Sequence, residues 1–284
     1  MVIGKRICDK EWYIGNQIIQ ETNFYKYLGV MINRQISETH HINEHLKTKA
    51  SKLQGYVRYT LGRHHSINRV HFGTSMWDKA IFPSLAHACG VWFCNTETSK
   101  KTIKSIQYSF AKAVMKINSM PSTFAILGDL GWLPMKEKMD IGRIGYFNYV
   151  CSLPESRLAK CVLRELIKVD AKQLDTNFSY IKNIKQILTE KGLDHMFDAF
   201  IADSNPNLNQ KYKQFITANY KETFHEQLAN CSSLKHYRIV KEDTSVPGYM
   251  ESKVHSFKQI QLKFKLRSGI SNLGEDILRQ NRGP

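Results

Sequence analysis

Hydrophobic positions change their period once along this chain. Ahead of about residue 35 they come in short β-rich runs. An apolar–polar alternation covers Met1–Ile7; Glu11-Trp12-Tyr13-Ile14 and Gln17-Ile18-Ile19 follow, joined by Gly15-Asn16. A Gly-Asn link between such runs signals a hairpin, because the primed turns need positive φ. The aromatic run Asn23–Asn33 comes next and carries Gly29 near its middle, where a glycine marks a bulge or the close approach of another backbone or a ligand. The pattern predicts an antiparallel meander of three or four strands, too small to bury much surface without a packing partner.

From about Ser37 the period is helical. Ile42, Leu46, Leu53, Val57 and Leu61 fall on one face, while Lys47, Lys49, Lys52, Arg58 and Arg63 take much of the rest. Gly62 lies in the closing turn, and Ser66 is a candidate N-cap for a second helix with Val70, Met76, Trp77, Ala80 and Ile81 inward. Pro83 then bends the chain or opens a new helix. A third helix over about Thr98–Ile117 has Ile103, Ile106, Phe110, Ala113, Val114 and Ile117 on its stripe, with Lys100, Lys101, Lys104, Lys112 and Lys116 largely off it. Three such helices with short links read as an antiparallel bundle. Farther on, Pro134 suits a first helical position after a turn at Gly131 and Trp132. Leu158–Val169, Tyr180–Leu188 and about Asn209–Leu228 are amphipathic, and residues 230–250 read as a linker. The fold expected is mainly α, a helical bundle and connector with a small N-terminal antiparallel β ribbon.

Charge changes this picture more than composition does. The formal net charge is +16, and +10 of it falls within residues 1–120. A basic surface attracts polyanions, because each neutralised phosphate releases condensed counterions; a merely soluble basic protein, or one that associates with anionic membranes, is the alternative. No apolar run reaches the roughly 18 residues of a membrane span, and no signal-peptide core opens the chain, so a soluble intracellular protein, cytoplasmic or nuclear, is expected. The six cysteines are scattered without a CxxC pair, which gives neither a zinc module nor a disulfide framework.

Tyr27-Leu28-Gly29-Val30, with Phe24 and Lys26 ahead of it, resembles the last conserved block of the reverse transcriptase of LINE-type (non-LTR) retrotransposons. In that family the block closes the palm domain and forms the primer grip. Pro83, His87, Gly90 and Trp92, followed by the basic helix Ile103–Ile117, resemble the family's helical thumb. Ala88-Cys89 departs from it, since an aromatic usually stands beside that glycine. Leu127-Gly128-Asp129-Leu130-Gly131-Trp132-Leu133-Pro134, leading to Arg143, Tyr146 and Phe147, is similar to the family's post-thumb linker. Phe264–Arg279 resembles the segment that precedes a Cys-Cys-His-Cys module in several branches. The resemblance implies a palm end over 1–35, a thumb-like bundle over 36–120, a connector over 121–230 and a linker with C-terminal segment over 231–284, in a fragment of a longer RNA-directed DNA polymerase.

What is missing decides the expected chemistry. Two-metal phosphoryl transfer needs carboxylates converging on two ions. In the resembled family these come from an Asp-Asp turn and an earlier Asp; the complete enzyme would use Mg²⁺. This sequence has no Asp-Asp pair, so no catalytic residue and no cofactor is expected in the chain itself. The expected activity is binding of RNA, DNA or an RNA–DNA template-primer through Lys47, Lys49, Lys52, Arg58, Arg63, Lys100, Lys101 and Lys104, with Tyr27, Leu28 and Gly29 supporting the primer end by resemblance. A separate catalytic palm is the second partner implied, and an inert or structural remnant of a degraded element is the third class left open. His41 and His45, one turn apart, lack the further ligands that zinc requires and read as a solvated or phosphate-facing pair.

Overall fold

The computed structural model describes residues 11–35, 37–63, 68–172, 180–202, 206–241, 243–252 and 254–270. The alternation at Met1–Ile7, the Ser66 cap and the segment from 271 to Arg279 lie outside them. The fold is mainly α, with strands only near the N-terminus among the described residues. It divides into two units, each assembled from three stretches of chain: 1–48, 86–102 and 139–212 in the first, and 49–85, 103–138 and 213–284 in the second.

The strands β1 (Trp12–Ile14), β2 (Gln17–Ile19), β3 (Phe24–Tyr27) and β4 (Val30–Asn33) belong to unit 1. They form two separate antiparallel hairpins, β1–β2 and β3–β4, rather than one meander. Gly15-Asn16 makes the first turn, as its residues require, with Gly15 at φ +58°. The second turn is Leu28-Gly29, at φ +45° and +86°. Gly29 therefore sits in a primed-type turn between strands, not within a strand. β1 and β2 leave every side chain exposed, including Trp12, Tyr13 and Ile14.

Ser37 caps the first helical stretch, its Oγ accepting from the Thr39 amide. α1 (Glu38–His40), a π-helical turn (His41–Leu46) and α2 (Lys47–Arg63) run on without a break. Unit 1 is completed by α7 (Met135–Ser152) from Met139 on, α8 (Leu158–Ala171), α9 (Tyr180–Thr189), α10 (His195–Ala202) and the start of α11 (Pro206–Asn230). Phe147 is its centre: the ring stacks on Phe197 at 5.6 Å, meets Phe200 edge-on at 5.9 Å and lies 6.4 Å from Tyr180.

Unit 2 holds most of α2, α3 (Arg69–Met76), a π-helical turn (Trp77–Ile81), α4 (Phe82–Leu85), the greater part of α5 (Glu97–Met115) and α6 (Thr123–Leu130). Pro83 neither ends this helix nor starts another. The Phe82 amide donates five residues back, to the Trp77 carbonyl, so the π register absorbs the proline. Trp77 stacks on Trp132 at 4.7 Å and tilts against Phe110 at 5.4 Å. Gly131, at φ +65°, closes α6: its amide donates to Gly128 O, and that of Trp132 to Leu127 O. The linker expected over 230–250 is instead α12 (Lys235–Val240) and α13 (Gly248–Glu251), followed by α14 (Phe257–Arg267). Tyr237 packs with Ala125, Phe224 and Leu228.

The pin that holds these helices is Asp129, fully buried on α6. Tyr237 and Tyr249 donate their hydroxyls to its two oxygens at 2.8 and 2.5 Å, with Arg267 at 3.6 Å and Lys241 at 3.8 Å. Burial pushes the Asp129 carboxyl up, against these partners, which favour its charged form. Burial, and then the neighbouring Asp129 charge, pushes both tyrosine hydroxyls above their ordinary value.

Two outcomes follow. A Cβ on Gly128 would stand 2.7 Å from the Phe224 ring, whereas one on Gly55 in α2 meets nothing within 4 Å. Gly128→Ala should lower the unfolding free energy in urea by about 1–3 kcal/mol, and Gly55→Ala should raise it by up to about 1 kcal/mol. Burial also lifts the Cys151 thiol of unit 1 to about 11. With Tyr237 and Tyr249 also raised, the folded chain keeps protons that the unfolded chain loses in alkali. Stability is then fully present below about pH 9 and falls as pH rises toward 11, by about 1.4 kcal/mol per pH unit for each such group. Urea titrations between pH 8 and 11 check this, and a level profile would contradict it.

Candidate nucleic-acid interface

Spacing on α2 and α5 creates the site in unit 2. Gln54, Arg58 and Gly62 recur every four residues on α2, and Ser105, Ser109, Lys112 and Lys116 follow one flank of α5 and its end. Together they line a cleft of about 680 Å³. Arg69 from α3 lines it too. The cleft thus carries Arg58, Arg69, Lys112 and Lys116, and no carboxylate among the described residues lines it. Like charges gathered in a concave wall focus a positive potential outward.

These four cations differ in what they are free to do. The Arg69 guanidinium is spent on the backbone, donating to Leu61 O at 2.7 Å, Ala113 O at 2.8 Å and Val114 O at 2.9 Å. It satisfies the terminal carbonyls of α2 and α5, where the helix dipoles are negative, and burial lowers its pKa from the ordinary value. Lys112 reaches Asn118 O at 3.2 Å. Arg58 and Lys116 are exposed. Gln54 and Tyr108 brace the walls, donating to Ser109 O at 2.9 Å and Pro121 O at 2.7 Å.

The residues expected from sequence to contact phosphate are dispersed. Arg58 is the one that lines the cleft. Lys47, Lys52 and Lys101 are exposed, as is Lys104, which lies 5.9 Å from the Phe124 ring. The Arg63 guanidinium sits 4.4 Å over the Tyr59 ring. Lys49 donates to Ser84 O at 2.5 Å, and Lys100 lies between Glu97 at 3.1 Å and Glu190 at 3.7 Å. Sequence reasoning passed over Arg69, Lys112 and Lys116 as contacts, although the recurrence of Ser105, Ser109, Lys112 and Lys116 every three to four residues was there to be read beside that of Gln54 and Arg58.

In unit 1 the stretches quoted for the resemblance meet. His87 Nε2 lies 2.9 Å from the Leu28 carbonyl oxygen, which only accepts, so that nitrogen carries the hydrogen. The same ring would stand 3.3 Å from a Cβ on Gly29. Gly90 leaves room for the Tyr146 ring, 2.7 Å from where its Cβ would be. Arg143, buried on α7, donates to Cys89 O at 3.2 Å and Trp92 O at 3.0 Å and pairs with Asp140. Tyr27 and Leu28 are exposed on the hairpin. His41 is not solvated or phosphate-facing, as its helical spacing suggested. It is buried, edge-on to Trp92 at 4.9 Å, and its Nδ1 accepts from the Met31 amide at 3.2 Å.

No group of three or more His, Cys, Asp or Glu side chains placed to hold a metal ion occurs among the described residues. Among them, no helix is long and apolar enough to cross a membrane. No protein-family model, curated protein or solved structure matches the chain.

The His87 contact carries a prediction. His87→Ala removes the hydrogen bond to Leu28 O. Amides of the β3–β4 hairpin should then exchange about tenfold faster, since one such bond contributes roughly 0.5–1.5 kcal/mol. Those of α9, elsewhere in unit 1, should keep their rates. Hydrogen-exchange mass spectrometry reads both.

Proposed function

We propose that this chain is a nucleic-acid-binding module of LINE-type reverse-transcriptase descent, a palm-end hairpin and thumb-like helices without catalytic aspartates, that holds template-primer by its backbone. The basic cleft between α2 and α5, with Arg58 and Lys116 exposed in it and no carboxylate among the described residues lining it, carries this reading. Contacts of that kind position a nucleic acid and read no sequence. On this reading the chain works in the cytoplasm or nucleus and does not polymerise DNA alone.

A second observation favours complementation by a separate catalytic palm. The two hairpins each leave large apolar side chains exposed, Trp12, Tyr13, Ile14 and Ile18 on one and Phe24 and Tyr25 on the other, and exposed apolar surface marks an interaction site where it is contiguous. Within the resembled family, the rest of the palm would cover it.

Binding of an RNA–DNA template-primer across a salt series tests the module. The logarithm of affinity should fall with the logarithm of salt concentration, at about 0.9 per phosphate contacted. The double variant Arg58→Gln/Lys116→Gln should flatten that slope by about 2 and weaken all sequences alike. Lys100→Gln, at a lysine already paired with Glu97 and Glu190, should leave it unchanged. A flat slope for the unaltered chain would overturn the reading.

A further inference from the structure

The outward face of α2 carries more than charge. At about 100° per residue, Lys52, Tyr56, Tyr59 and Arg63 fall within about 60° of one another on the side away from buried Val57 and Leu61. Both tyrosines are well exposed, Tyr56 at 60% and Tyr59 at 56%. From Lys47 to Arg63 the helix has no acidic residue. Two flat rings flanked by cations, on a helix with no opposing charge, offer what unpaired bases seek: a π surface for the base and a positive charge for the phosphate beside it.

The helix backbone is bare next to that stripe. Gly55 and Gly62 fall between Arg58, on the cleft side, and the tyrosines, and a Cβ at either would meet nothing within 4 Å. Glycine in a helix interior is unfavourable relative to alanine, and among the described residues no packing asks for it at these two positions. Their absent side chains let a ligand pass close to the helix, from the cleft across to the rings.

We infer that the Lys52–Arg63 face of α2 binds a single-stranded stretch of nucleic acid, with bases stacked on Tyr56 and Tyr59 and phosphates beside Lys52, Arg58 and Arg63. The inference rests on the module reading above and adds to it the state of the strand. A duplex keeps its bases stacked on one another and has no free face for these rings, so the stripe favours the unpaired strand.

The test compares oligo-dT, oligo-rU and a duplex of equal length by fluorescence anisotropy, using the full chain. Tyr56→Ala/Tyr59→Ala should weaken single-strand binding about 100-fold, at roughly tenfold per stacked base. Duplex binding should stay within about twofold, and the salt slope should be unchanged, because the phosphate contacts remain. Tyr56→Phe/Tyr59→Phe keeps both rings and should bind as the unaltered chain does. Tyr56→Trp gives a direct readout: its added indole emission should be quenched by the single strands and not by the duplex. The oligo-dT and oligo-rU arms tell whether DNA or RNA is the strand preferred. Unaltered single-strand binding by the alanine variant, or equal loss on single strand and duplex, overturns the stacking inference and leaves the module standing. Failure of the unaltered chain to bind any of the three overturns both.

Discussion

Unit 1 depends on one buried cation. The Arg143 side chain is 1% exposed and paired with an equally buried Asp140, and its Nε reaches two carbonyls of the non-helical stretch between Leu85 and Glu97. Backbone in an irregular segment has few partners of its own, and each carbonyl buried without one is expensive. Arg143 supplies those partners from a rigid helix, and its guanidinium also lies 5.4 Å from Trp92 and 5.6 Å from Phe93. Deleting either member of a buried pair strands the other's charge, which typically costs 3–5 kcal/mol. The position of His87, and with it the β3–β4 hairpin, hangs on that same segment.

Unit 2 uses its charges in two opposite ways. Asp129 and Arg69 are consumed within the fold, one gathering the C-terminal helices and the other finishing α2 and α5. Arg58 and Lys116 point outward from walls that Arg69 has already fixed. The formal charge of +16 is therefore only partly carried by exposed side chains. Lys49 and Lys100 are committed to carbonyl and carboxylate partners, while Arg58 and Lys116 are exposed on a cleft that no carboxylate among the described residues lines.

The helices were legible where a hydrophobic stripe repeats for three turns or more. Ile103, Ile106, Phe110, Val114 and Ile117 are all buried as spaced, and α8, α9 and α11 lie close to their expected bounds. The 230–250 region misled because its buried anchor is a tyrosine whose partner, Asp129, lies 108 residues earlier; no local pattern carries such a pair. Gly29 was read as a mid-strand bulge or a place where a backbone or ligand comes close; it is a turn residue, because turn and bulge place the same demand on φ, and what lies beside it is the His87 side chain. The cleft was half legible. The basic residues of α2 were visible, but which of them face α5 depends on how two helices lie together, and Lys49 and Lys100 have partners, Ser84 O and Glu190, far along the sequence.

The division of the chain into alternating stretches has a consequence for its birth on the ribosome. Unit 2 begins at Lys49 and requires helices as late as α14, so about two hundred residues must emerge before it can close. Until then α6 presents a carboxylate and a ring of apolar side chains destined for α11 and α12, with nothing yet synthesised to receive them. Long-range pairing of this kind slows folding and leaves the nascent chain open to aggregation. The gathering of four late partners onto one early aspartate makes completion of unit 2 wait for α14 to be synthesised rather than proceed gradually.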